Sequence, residues 1–574
     1  MRWLVWAMVL VGGSGCAASR FGAATSMAME RFPKKAQLEQ VVLRAPKLDV
    51  ARLDASSASS WTLEGPFPTE AKLVPHAPTT AWERALVEVA PQVGKALSED
   101  LQCFAREYAR FLLAQGKPGN SLQAFIERRC GVLAPHVQAA TLSGSVPDGV
   151  TEAEWVTQWK AGLPKLLGGT APELAGIAVR RADDGRAVLV IAMAKLEARL
   201  LQPVPLVGST GKLVLRGALT GRKAERVEAL INKGALDAVA CKPLDVVRPP
   251  EFAFECPVEV ADPRTTVAIA AFESGRLLGE DVGTFLLWPA GTPNDTWTRP
   301  GAAAEVSDDD FSAAFLAAVN QMRANARLPL LAEAKAQSAT ATGLAPHYFA
   351  ALLGQADPAD ADEIALGMLA GWDVGVDIVS SGFGSQWISG SRDLGVLLEL
   401  LLDNPFSRKS LTDPRATLLA AGHVKGSGTS LATLFATYVP LGTFDRKESE
   451  VAIITRLNQL RVDRKLGLAQ WTLWPQDEGA LVARQLEERR WTPDQALQHV
   501  LEKTAQVAAG GTVSGYVQLV DDLEHFQFPP EVLMRPDIRV FLAVGAYRAE
   551  DWAQSRYVVC FVIAQAGDVQ TASR

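Results

Sequence analysis

Imidazole is the side chain that most readily serves as base, proton carrier or metal ligand near neutral pH, so the six histidines come first. They are His76, His136, His347, His423, His499 and His525, scattered with no pair at ligand spacing. A serine and a lysine meet in Lys425-Gly-Ser427-Gly-Thr-Ser430, where alternating Gly and Ser read as a hairpin turn rather than a nucleophile and its base. Ser380-Ser-Gly-Phe-Gly-Ser385 reads as a loop, because a phosphate cradle would need a helix start that does not follow it. The carboxylate runs Asp308-Asp-Asp310 and Asp357 to Glu363 read as a helix start and a solvated loop. No Gly-x-Ser-x-Gly elbow, Walker-type loop or His-Glu-x-x-His helix occurs. These residues call for no cofactor and no metal.

Cysteine carries the other chemistry. The chain opens MRWLVWAMVLVGGSGC, in which Arg2 gives a positive start, Leu4 to Val11 a short apolar run, and Gly12 to Gly15 a stretch of small residues leading into Cys16. That order is a secretory signal, and its apolar run is too short for a bilayer of roughly 30 Å. A cysteine at the cleavage point resembles the bacterial lipobox, although Gly13 stands where Leu is usual. The expectation is cleavage before Cys16, lipid on its thiol and a place in the cell envelope, with Ala17 favouring the outer membrane. A plain signal peptide is the alternative. Export places the remaining cysteines in an oxidising compartment. Proximity pairs Cys103 with Cys130 and Cys241 with Cys256, although sequence alone does not fix connectivity. Cys560, inside Tyr557-Val-Val-Cys-Phe-Val-Ile563, reads as an inert buried thiol.

The elements that must hold these residues follow from periodicity. Leu97 to Leu113 and Glu152 to Leu167 have helical spacing, and Trp155 and Trp159 share one face of the second as core. Residues 176–181 and 187–192 flank Asp184-Gly185 and predict a hairpin. From about 200 to 290 short alternating strands predict a β-sandwich module. Helices return at Asp308 and strands follow to about 441; residues 447–566 repeat that order. Val319-Asn-Gln-Met-Arg323 and Leu457-Asn-Gln-Leu-Arg461 begin the two blocks 138 residues apart (457 − 319), which predicts a duplication. Segment 97–195 follows the same order and stands as a more distant third copy. The hydrophobic content of 48% supports packed cores, and a formal charge of −7 without a basic stripe argues against nucleic acid as a partner.

Block 308–441 resembles the CAP superfamily, the cysteine-rich secretory, antigen 5 and pathogenesis-related-1 proteins. The resemblance rests on Asn320-Gln-Met-Arg323 with Leu328-Pro-Leu-Leu331, on Gly375-Val-Asp-Ile378, and on Asn404-Pro-Phe-Ser-Arg408 leading to Ala421-Gly-His-Val424. It covers about a quarter of the chain. It implies an α-β-α sandwich, and a cleft to which His347, Asp377, Ser407 and Arg408 would contribute. Members that hold a cation there use two histidines and two acidic residues. Here Ser407 replaces the motif histidine and Val376 the motif glutamate, so the resemblance implies an erased metal site.

The expected fold is α+β: CAP-like units, duplicated, around a small Ig-like β-sandwich. The expected boundaries are 1–15 signal peptide, 16–80 lipid-anchored spacer, 81–199 an α+β domain, 200–290 sandwich, 291–307 linker, 308–442 the CAP-like domain and 447–566 its second copy. The expected role is a non-enzymatic binding or structural scaffold, held to the membrane by its N-terminal lipid and engaging a protein, glycan or lipid. The alternatives are a hydrolase of envelope polymers with a non-standard cleft, and a lipid carrier using Leu394 to Leu402 or the surroundings of Phe383 and Trp387.

Overall fold

The computed structural model describes residues 32–53, 58–135, 137–146, 148–167, 172–221, 223–244, 247–273, 279–299, 305–442, 445–474, 476–508, 513–535 and 537–564. Cys16 and the leader before it lie outside them, as does His136. Helices and strands are both abundant, and the fold is α+β. The described chain forms two compact units, one of residues 36–368 and 382–437, the other of 32–35, 369–381 and 438–564.

The first unit begins with helix α1 (Lys35–Arg44). Residues 16–80 are therefore not a free spacer throughout. Leu38 and Val41 are buried, and Leu38 fills a notch where Gly367 has no side chain. Arg44 meets Asp360 at 2.7 Å and Glu363 at 2.8 Å. A ten-residue helix is too short to stand alone in water, so this docking is what maintains it.

Helices α2 (Ala81–Val89), α3 (Glu99–Gln115), α4 (Asn120–Arg129), α5 (Glu152–Lys160) and α6 (Leu163–Leu167) surround strands β1 (Val137–Ser145), β2 (Leu174–Arg181) and β3 (Arg186–Ala194). The sheet order is β1-β3-β2, and Leu97 adds one parallel bridge to Ala175 at the open edge of β2. Thr80 and Glu83 close a capping box on α2, satisfying amides that a helix start leaves bare. Trp155 packs edge-on against Trp82, 5.1 Å between centroids, and belongs to the core. Cys103 of α3 and Cys130 after α4 are joined by a disulfide.

Two antiparallel four-stranded sheets follow, one of residues 226–233, 237–240, 265–272 and 280–287, the other of 198–200, 211–219, 242–243 and 251–258. Their inward residues make one core, and the Cys241–Cys256 disulfide lies within it. The stretch expected as a linker is in part a strand, since Thr296–Thr298 pairs with Ser60–Thr62.

Helices α7 (Phe311–Asn325), α8 (Lys335–Leu352), α9 (Pro358–Ala370), α10 (Leu394–Asp403) and α11 (Pro405–Thr412) accompany strands β4 (Ala332–Glu333), β5 (Ile378–Ile388), β6 (Leu418–His423) and β7 (Leu431–Pro440). The sheet runs β4-β6-β7-β5, with β4 parallel to β6. In the second unit, helices α12 (Arg446–Asp463), α13 (Glu478–Glu487) and α14 (Pro493–Val507) accompany β8 (Gln470–Trp471), β9 (Val513–Val520), β10 (Arg539–Tyr547) and β11 (Arg556–Ala564). Their order is β8-β10-β11-β9, with β8 parallel to β10. By order of appearance both sheets read first, third, fourth, second. The sheet with Leu97 at its edge reads the same once that bridge counts as its first strand. Beside each of these three sheets a helix also meets a glycine of a central strand. A Cβ on Gly176 would lie 2.3 Å from the Leu101 carbonyl carbon, one on Gly422 2.2 Å from that of Ala341, and one on Gly545 2.8 Å from Leu486.

Candidate functional site

The two Asn-Gln-x-Arg segments, which begin the blocks at 308 and 447, hold backbone. Asn320 exchanges two hydrogen bonds with Leu331, and Asn458 accepts from the Ala469 amide 11 residues on in the same way. Arg323 has no exposed surface and donates to the carbonyls of Pro329 and Leu411, each at 2.7 Å. Arg461, equally buried, donates to Gly467 at 2.7 Å and to the Val532 carbonyl. Guanidinium suits this task because its planar fork of donors can satisfy several loop carbonyls at once.

The four cleft candidates go to different surroundings. His347, on α8, is buried with Nδ1 2.8 Å from the Ala45 carbonyl at the end of α1, and its Nε2 has no hydrogen-bond partner. Ser407 is 1% exposed in the first turn of α11, which Asn404 caps. Arg408 donates to the Leu402 and Gly234 carbonyls at 2.5 and 3.2 Å. Asp377 belongs to the second unit and pairs there with Arg548 at 2.6 Å. His347, Ser407 and Arg408 share no hydrogen bond, and among the described residues no three metal-ligating side chains gather. On the surfaces suggested for a lipid carrier, Leu397 and Leu401 have no exposed surface and Phe383 lies edge-on to Tyr348, while Leu398, Leu400, Leu402 and Trp387 are half-buried.

Tertiary folding assembles two constellations that the sequence kept apart. In the first, Asp308 meets Arg392 at 2.5 Å, His423 Nε2 at 3.2 Å and the Gly426 amide at 2.8 Å. Burial pushes the His423 imidazole below its usual range. Burial also pushes Asp308 up, but the Gly426 amide and Arg392 outweigh it and hold the carboxyl below its usual range. Phe311 covers the imidazole at 4.4 Å and His423 is 2% exposed, while the Asp308 side chain stays 32% exposed. The pair acts as a clip between the start of α7 and the end of β6.

The second is open. Extended residues 66–76 run beside the start of α3, with the Glu99 amide donating to Val74 and the His76 amide to Leu97. Between this segment, the first turns of α3 and the Cys103–Cys130 disulfide lies a groove of about 550 Å³. His76, Glu99, Asp100 and Arg106 face it, with Phe67 and Val74 as apolar wall. Glu83 stands behind His76 and meets its Nε2 at 2.9 Å. Burial pushes Glu83 up, but the amides of Thr80 and Thr79, then His76, outweigh it and hold the carboxylate below its usual range. Burial pushes Asp100 above its usual range. An open groove with an oriented imidazole and a buried acid can bind polar groups or move a proton. The capping pattern Thr80-x-x-Glu83 was readable in the sequence; its contact with His76 depends on the path of residues 76–80.

Cys560 is buried in β11, unpaired, with burial pushing its thiol up to about 12. No helix of the described residues is long and apolar enough to cross a membrane. No family model matches the chain, and no curated protein does. Among solved structures it is similar to a cysteine-rich secretory protein from Staphylococcus aureus, at 8% identity and a TM-score of 0.18, over 42% of this chain and 85% of that one. So loose a superposition carries no argument about function.

Proposed function

We propose that this protein is a non-enzymatic scaffold of the bacterial cell envelope, exported, held to a membrane by lipid on Cys16, and built from degenerate CAP-like copies around an Ig-like β-sandwich. Its folded surface would engage a protein, glycan or lipid. One observation carries the reading: the side chains that the family resemblance assigns to a cleft go to separate surroundings, each buried or bonded within the chain. His347 holds the Ala45 carbonyl, Arg408 holds loop carbonyls, Asp377 holds Arg548 and Ser407 is buried. His347 keeps its Nε2 unpartnered, but it belongs to no group of three ligating side chains among the described residues.

The anchor is tested by growing cells with an alkyne-tagged fatty acid. The full chain should carry the tag and sediment with membranes, while Cys16→Ser should lose both. An untagged wild-type chain would overturn the anchor. The scaffold is tested by cross-linking in intact cells: a stoichiometric partner supports it, and turnover of purified envelope polymer would sink it. The hydrolase reading is favoured by the His76–Glu83 pair at the groove alone, and it requires His76→Ala to abolish that turnover.

A further inference from the structure

Residues 36–49 lie on the first unit as a strap and touch it along a single seam. Leu38, Val41, Ala45 and Leu48, three or four residues apart, are buried, and every other residue of the segment is exposed. The seam follows α8 and α9, and its polar contacts are few. Arg44 meets Asp360 and Glu363, yet its side chain stays 55% exposed, which keeps these ion pairs weak. The Leu48 amide donates to the Pro346 carbonyl at 2.9 Å and the Asp49 amide to Gln355 Oε1 at 2.7 Å, while His347 Nδ1 holds the Ala45 carbonyl. His347 and Gln355 thus grip the strap's backbone, and each leaves its other polar side-chain atom, Nε2, buried without a partner. A buried polar atom without a partner costs free energy that water returns once the strap lifts. Four apolar contacts therefore stand against two unmade hydrogen bonds and the ordering entropy of the whole segment. The surface beneath is nonetheless shaped for this occupant. A Cβ on Gly367 of α9 would lie 2.4 Å from both terminal carbons of Leu38, and its three nearest atoms all belong to that side chain. Asp360 and Glu363 stand where the arginine six residues further on arrives. An amphipathic helix with a leucine for the notch and an arginine for the acids is the ligand that this surface selects.

We propose that the face of α8 and α9 beneath residues 36–49 is a binding groove for an amphipathic helix, filled by the chain's own α1 segment, which leaves it as a unit while the rest of the first unit stays folded. The proposal goes beyond the scaffold reading and does not depend on it, since an exchangeable α1 needs neither a lipid on Cys16 nor a partner in the envelope.

The test begins with hydrogen exchange of the full chain in detergent under native conditions. Amides of residues 41–49 should exchange together and at least a hundredfold faster than those of β6 and β7, the mark of local opening. Gly367→Ala separates this device from an ordinary structural contact. Alanine favours helix α9 itself, so the added methyl should strain Leu38 alone. Exchange of residues 41–49 should then rise at least tenfold while the urea midpoint of the chain does not fall. A labelled peptide of residues 33–50 reports the groove directly. It should bind a Leu38→Ala chain at least tenfold more tightly than the wild type, whose groove is already filled in cis, and adding Gly367→Ala to that chain should abolish the binding. Exchange of the strap in step with β6 and β7, or a fall in the urea midpoint with Gly367→Ala, would overturn the proposal. So would a Leu38→Ala chain that unfolds as a whole or that fails to take up the peptide. None of these results touches the anchor or the cross-linked partner, so the scaffold reading stands or falls separately.

Discussion

Burial makes several acids hold their protons to higher pH, and two of them set a pH dependence. Glu127, which accepts from Gln123 at 2.9 Å, is pushed up to about 7, and Asp281 up to about 6. In both, the folded value lies above the unfolded one. The folded chain then holds protons that the unfolded chain has released, and stability falls as pH rises between roughly 4 and 7. The melting temperature should be higher at pH 5 than at pH 8. Glu127→Gln keeps an acceptor for Gln123 and removes one titration, so its melting temperature should gain on the wild type at pH 8 more than at pH 5. An unchanged difference between the two pH values would rule out this assignment for Glu127. The same scale explains why the Asn-Gln-x-Arg segments were legible in sequence while their task was not. Spacing exposed the repeat, but only the loops ending at Pro329 and Leu411 reveal that Arg323 binds carbonyls.

In the three sheets of shared strand order, helix and strand meet where a glycine leaves no Cβ. At Gly422 a methyl group would fall on the backbone of α8, 2.2 Å from the Ala341 carbonyl carbon, where no flexible side chain can yield. Gly422→Ala should destabilise by about 3 kcal/mol, the upper range for overpacking. Gly343, on α8 itself, has nothing within 4 Å of its Cβ position, so Gly343→Ala should stabilise by about 0.5–1 kcal/mol through helix propensity. Urea unfolding measures both. A neutral Gly422→Ala would show that helix and strand do not approach this closely. The hairpin at Asp184-Gly185 and helix α3 could be read directly, because period and turn chemistry are local. Helix α1 was missed, since its apolar residues acquire meaning only against Gly367.

Across the whole molecule the two disulfides lie in one unit. Cys103–Cys130 spans 27 residues and Cys241–Cys256 spans 15, and loop-closure entropy assigns each a stabilisation of about 3 to 4 kcal/mol. Reductant should therefore lower the thermal transition of the unit of residues 36–368 and 382–437 and leave that of the unit containing residues 445–564 in place. Hydrogen exchange followed by proteolysis assigns each transition to its segment. A common shift of both would mean that the two units unfold as one.

Periodicity and turn residues were enough for the α+β class, the sandwich strands and the suspicion of a repeat, because those signals depend on neighbours within a few positions. Pairing the cysteines by proximity relied on short loops, where chain entropy favours the near partner. The site was another matter. His76 with Glu83, Asp308 with Arg392 and His423, and His347 with Ala45 meet through the path of the chain in space, and their separations of 7 to 302 residues carry no periodic trace. Residue type marked those side chains as capable of chemistry; burial and partners, which only tertiary packing sets, decided that most of them hold the fold and that one groove is left open.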